Sequence, residues 1–145
     1  MILLPFEVEV DVNYDDERNW TLDSEFFNRH PLITREHFLI DRDGLRRVHY
    51  RLLAPDGVFT TREALEETTS HGLYRPNLAE TRAFYNAFID TWKEKPILSL
   101  CGALHEQGGH PFIAYVQGEG ERFNLFFNWM GFKRAPNGVI LVIAN

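Results

Sequence analysis

From Leu78 to Lys93 the apolar residues recur with the 3.6-residue period of an α-helix, and no other segment restricts the fold as tightly. Asn77 stands at the N-cap position, Glu80 follows three residues later as in a capping box, and Pro96 lies just beyond the end. Projected on a helix, Leu78, Thr81, Phe84, Tyr85, Phe88, Ile89 and Trp92 share one face, while Arg82, Asn86, Asp90, Lys93 and Glu94 lie elsewhere. A stripe this apolar has to be covered, and the rest of the chain supplies strands to cover it.

Phe6, Val8, Val10 and Val12 alternate with Glu7, Glu9 and Asp11, the period of a strand with one buried face and one wet face. The stretch 13–34 reads as an irregular excursion anchored by Trp20, Leu22, Phe26 and Phe27, with a short helical turn near Ser24. His37 to Ile40 and Leu45 to Leu53 suit two strands joined at Asp43-Gly44 in a tight hairpin. That hairpin would set Leu39 against Val48, Asp41 against Arg46 and His37 against Tyr50, leaving Arg47, His49 and Arg51 as a basic stripe on the reverse. Thr60 and Glu63 have capping-box spacing for a short helix ending near Gly72. Ile97 to Leu104, Pro111 to Gln117 and Arg122 to Asn128 form a meander broken by glycines, and the unbroken apolar run Val139 to Ile143 predicts a strand covered on both faces. The expected fold is therefore α+β. A twisted, mainly antiparallel sheet of N-terminal strand, hairpin and C-terminal meander carries one long and one short helix packed on a face, in a single domain over residues 1–145.

Hydrophobic residues make up 44% of the chain and aromatics 14%, too much apolar material for a disordered segment and too scattered for a bilayer span. Met1 to Phe6 carries no basic leader or cleavage site, and Cys101 is the only cysteine, so a cytoplasmic protein without disulfides is expected. A pI of 5.5 and the lack of a broad basic groove argue against nucleic acid as a partner. No membrane partner is expected either.

The charge is unevenly placed. Residues 1–25 hold eight acids and one arginine, whereas the remainder holds thirteen acids and fourteen lysines and arginines. Asp11, Asp15, Asp16 and Glu17 are thus candidates for docking a basic protein partner, although an exposed strand and a solvated loop give the same pattern. Asp11, Asn13 and Asp15 begin like a calcium loop, but Asp16 stands where glycine is needed and Leu22 where the bidentate acid is needed.

His105 and His110 bracket four residues, and across a four-residue loop they would oppose each other, with Glu106 available as a third metal ligand. Two imidazoles alone do not make a zinc site, and no cofactor is expected. Arg47, His49 and Arg51 offer paired donors for an anion, and Tyr85, Tyr115 and Asn128 could give polar handles to a pocket between the long helix and the sheet. Ser99 and Cys101 lie in a strand without the sharp turn that exposes a nucleophile. The sequence thus favours a noncatalytic protein-binding module, of the small inhibitor or immunity-protein kind, that uses an acidic N-terminal surface toward a protein partner or pairs as a homodimer. The alternative is a small-ligand-binding protein or enzyme with a helix-sheet pocket.

Overall fold

The computed structural model describes residues 1–20, 28–92, 95–119 and 122–144. In chain order its elements are β1 (Ile2–Asn13), β2 (Asn28–Arg29), β3 (Leu45–Ala54), β4 (Phe59–Thr60), α1 (Thr61–Ser70), α2 (Leu78–Trp92) and β5 (Ile97–Ser99). There follow β6 (Leu104–Gln107), β7 (His110–Glu119), β8 (Arg122–Trp129), β9 (Lys133–Arg134) and β10 (Val139–Ile143), with single 3-10 turns at Glu17–Trp20 and Arg35–His37. The main sheet runs β1-β3-β10-β5-β7-β8-β2, with β6 beside β7, and β4 and β9 form a separate two-stranded ribbon. Most pairings are antiparallel; β10 with β5 and β2 with β8 are parallel. This is the α+β architecture expected from the sequence.

Both helices begin where their capping boxes predict. Asn77 and Glu80 exchange side-chain and backbone hydrogen bonds at 2.8 and 2.9 Å, and Thr60 accepts from the Glu63 amide at 3.1 Å. The two helices take opposite faces of the sheet. Leu78, Phe84 and Tyr85 of α2 pack with Val48, Tyr50, Leu52, Val116, Leu125 and Leu141. Ala64 of α1 belongs to the cluster of Leu53, Leu98, Ile113, Tyr115, Ile140 and Val142 on the other face. Burial on both faces explains why β10 has no polar residue: its five side chains divide alternately between the two cores. Phe84 is fully buried against the rings of Tyr50 and Phe88, so truncating it to alanine is worth about 3–5 kcal/mol.

The expected hairpin between 37–40 and 45–53 does not form. β3 pairs instead with β1, placing Glu7 opposite Arg51, Glu9 opposite His49 and Asp11 opposite Arg47. The long-range pairing satisfies a longer backbone ladder and matches acidic against basic side chains on one face, with apolar side chains on the other. Gly44 serves as the turn into β3, its carbonyl accepting the Tyr14 amide at 2.9 Å. His37 ends a 3-10 turn, and Phe38 is buried while Leu39 is exposed.

The meander is present, but its first strand is divided into β5 and β6 along one edge of β7. Gly102 sits at the break, its amide donating to the Ala114 carbonyl at 2.9 Å where a β-carbon would meet that oxygen at 2.2 Å. Arg75 takes the freed carbonyls of Leu100 and Gly102 at 2.9 and 2.8 Å. The helical turn expected near Ser24 and the side chains of Ile89 and Trp92 lie outside the described residues.

Candidate functional site

The basic stripe lies against the acidic strand. Arg47 binds Glu9 at 2.7 Å and Asp11 at 3.3 Å, and His49 meets Glu7 at 2.5 Å. The Arg47 guanidinium holds the Glu9 carboxyl below its ordinary value. Arg51 donates to the carbonyls of Phe6 and Leu4 at 3.1 and 3.2 Å, where the β1–β3 register shifts around Pro5. The triad expected to receive an anion is thus engaged within the sheet.

The acids beyond β1 are also engaged. Asp15 accepts the Gly44 amide at 3.0 Å. Asp16 is clamped by Arg18 at 2.7 Å, which pulls its carboxyl down to about 2. Glu17 opens the 3-10 turn that follows.

The polar handles proposed for a pocket do not converge. Tyr85 is buried under α2, donating to the Ile97 carbonyl at 2.8 Å and stacking on Phe123. Tyr115 and Asn128 project from the opposite face of the sheet, because strand alternation separates them from Phe123 and Phe127. None of the three lines the cavity of about 370 Å³ between α2 and β1.

His105 and His110 are not opposed either. The connecting loop has two residues, Gly108 and Gly109, with φ of 60° and 80°, which pairs Gln107 with His110 and His105 with Phe112. His105 instead meets His37, ring centres 4.7 Å apart, and stacks on Phe127 at 4.7 Å. Glu106 alternates to the other face. Among the described residues no three His, Cys, Asp or Glu side chains are grouped to hold a metal.

What the structure does assemble is an aromatic and histidine cluster around the second half of β8. Phe127 is its hub, stacked on Phe112 at 5.0 Å and flanked by His37 at 5.3 Å and His30 at 6.2 Å. Trp129 lies across from Phe112, 6.4 Å from the His110 ring and 47% exposed. The position follows from the alternation of β8: Phe123 and Leu125 lie over the core, and the same face then continues to Phe127 and Trp129. β2 pairs β8 only at Asn124 and Leu125, so among the described residues no strand covers the outer edge of Phe126 to Trp129.

No protein-family model, curated protein or solved structure matches this chain. Its site therefore stands on its own geometry.

Sequence reasoning missed His30, which lies in an irregular stretch without periodic signal, and His37, which it placed in a hairpin strand opposite Tyr50 and which instead ends a 3-10 turn. It also missed Glu80 as a buried acid. Only 5% exposed, Glu80 accepts from Tyr14 at 2.6 Å beside a cavity of about 340 Å³ lined by Arg42, Arg75 and Tyr74. Its capping-box spacing was visible, but not its long-range partner. Cys101 is buried, and burial pushes its thiol up to about 11, away from the range of a nucleophile. No helix among the described residues is long and apolar enough to cross a membrane.

Proposed function

We propose that this chain is a noncatalytic protein-interaction module that receives an extended segment of a partner protein along the outer edge of β8. The observation that carries this reading is the coincidence of an outer strand edge at Phe126 to Trp129, which no described strand pairs, with an exposed tryptophan and the Phe127–His105–His37 cluster beside it. An open edge supplies backbone donors and acceptors, and neighbouring aromatic side chains supply the anchors that make strand addition selective. Tryptophan is among the residues on which binding energy concentrates.

The acidic residues Asp11, Asp15 and Asp16 belong to the other end of the sheet order, where intrachain contacts occupy them. They are not part of the proposed surface. A cytoplasmic setting belongs to the same reading and accords with a single buried thiol.

Selection from a displayed library of random linear peptides tests the proposal. Binders with alternating apolar residues should emerge, slow amide exchange at Phe126 to Trp129, and lose about tenfold in affinity on Trp129→Ser. Binders that protect another surface, or that ignore the substitution, would refute it. Protection of this edge that rises with protein concentration in the absence of peptide would assign it to a second copy instead.

A further inference from the structure

Arg134 is a buried cation that no carboxylate among the described residues neutralises. It belongs to the β4–β9 ribbon, paired with Phe59, and is 9% exposed. Its Nε donates to the Thr61 hydroxyl at 3.2 Å, while its Nη2 is buried with no hydrogen-bond partner. The guanidinium carbon lies 4.2 Å from the centre of the Tyr115 ring and 5.3 Å from that of Phe132. Among the described residues no Asp or Glu lies within ion-pair distance of it.

Such a group is costly to bury, and unlike a lysine it cannot escape by losing its proton. Burial pulls the guanidinium below its ordinary value, opposed by the charge and hydrogen bonding of the Tyr115 side chain, and no Asp or Glu contributes to the balance. The ring faces beneath it give partial compensation through cation–π attraction, but a ring face neither neutralises the charge nor accepts for Nη2 in the manner of a carboxylate. Arg134 lines a cavity of about 230 Å³ whose apolar wall includes Phe59, Leu98, Val139 and Ile140, with Asn137 and the exposed Lys133 also on its lining.

We propose that this cavity binds a small organic monoanion, a carboxylate carried on an apolar or aromatic body, with the Arg134 guanidinium as its anion anchor. A planar carboxylate matches the fork of a guanidinium, and one negative charge matches one buried positive charge. The apolar wall favours a hydrophobic body over a bare inorganic ion. The volume falls below the roughly 300–1,000 Å³ typical of drug-sized ligands, so the ligand is small. This site lies at the ribbon and is independent of the β8 edge.

Sodium benzoate is the probe, titrated at constant ionic strength into isotope-labelled protein beside acetate and inorganic phosphate. Benzoate should saturate, shift the Arg134 Nε–H signal and the Leu98 and Ile140 amides, and bind more tightly than acetate. Arg134→Met should weaken it by about tenfold or more, the usual scale for losing a charge-assisted pair. Asn137→Trp, at an exposed position on the cavity lining, should obstruct it while keeping the guanidinium, which preserves the test if Arg134→Met fails to fold. Absence of saturation, equal affinity in a folded Arg134→Met or in Asn137→Trp, or binding of phosphate but not benzoate would each overturn the assignment.

Discussion

Tyr14 donates its hydroxyl to the Glu80 carboxylate at 2.6 Å, joining the segment after β1 to the first turn of α2 across 66 residues of sequence. The same turn is held by Tyr50, whose hydroxyl donates to the Glu80 carbonyl at 2.7 Å. The other Glu80 oxygen accepts the Asn77 amide at 2.8 Å, so a single buried acid fixes both the start of the helix and its position over the sheet. Tyr14→Phe leaves a buried Glu80 carboxyl oxygen without its donor and should cost about 1–3 kcal/mol in urea unfolding. A loss below about 0.5 kcal/mol would mean that water replaces the hydroxyl.

Asp16 and Arg18 give a test by pH. The folded-state value of Asp16, about 2, lies below the ordinary carboxylate value. Its contribution is therefore present above the unfolded value, near pH 4, and is lost as pH falls toward 2. A carbon-detected titration should place its midpoint near 2, and Arg18→Ala should return it toward the ordinary value. An unchanged midpoint in Arg18→Ala would show that the clamp at 2.7 Å does not persist in solution.

Cys101 should resist alkylation. Its thiol titrates near 11 because burial disfavours the thiolate, so at neutral pH iodoacetamide should label it only at the rate of opening of the fold. Since the folded value is the higher one, the native state gains from the neutral thiol below the unfolded value, and that gain is lost as pH rises through about 11. Prompt stoichiometric labelling of native protein would contradict the burial.

The His37–His105 contact should loosen in acid. Desolvation, and then the neighbouring His37, hold His105 below the ordinary imidazole value. For a base lowered in this way the folded state is disfavoured as pH falls below the unfolded value, because the unfolded chain takes up the proton first. Proton-detected titration of the imidazoles should show His105 rising toward the ordinary value in His37→Ala. The Phe127 ring signals should shift in the same pH range, and their constancy would separate the ring stack from the titration.

The sequence was legible where its signals are local. The boxes at Asn77 and Glu80 and at Thr60 and Glu63 mark their helix starts because a cap is made within four residues. The run Val139 to Ile143 announced a strand buried on both faces because it has no polar residue to expose. Asp43-Gly44 misled for the converse reason: a turn signal shows where the chain bends, not which strand it meets afterward. The correct partner was written in charge, Glu7, Glu9 and Asp11 against Arg51, His49 and Arg47, two stripes of equal spacing and opposite sign. The aromatic cluster was less legible, since His37 and His105 are brought together only by the loop before β3 and the break at Gly102. Arg134, between Lys133 and Ala135, has no pattern to distinguish it from a surface arginine.

The strand that unites the sheet follows every other strand in the chain. β10 bridges β3 and β5, so the β1–β3 pair and the β5–β8 array have no direct pairing until residues 139–143 arrive between them. During synthesis from the N-terminus, the β1–β3 pair and the β5–β8 array precede the strand that joins them, so each keeps an unsealed edge until β10 is in place. Removing Val139–Ile143 should therefore leave two half-sheets with exposed edges, an aggregation hazard that the inserted strand abolishes.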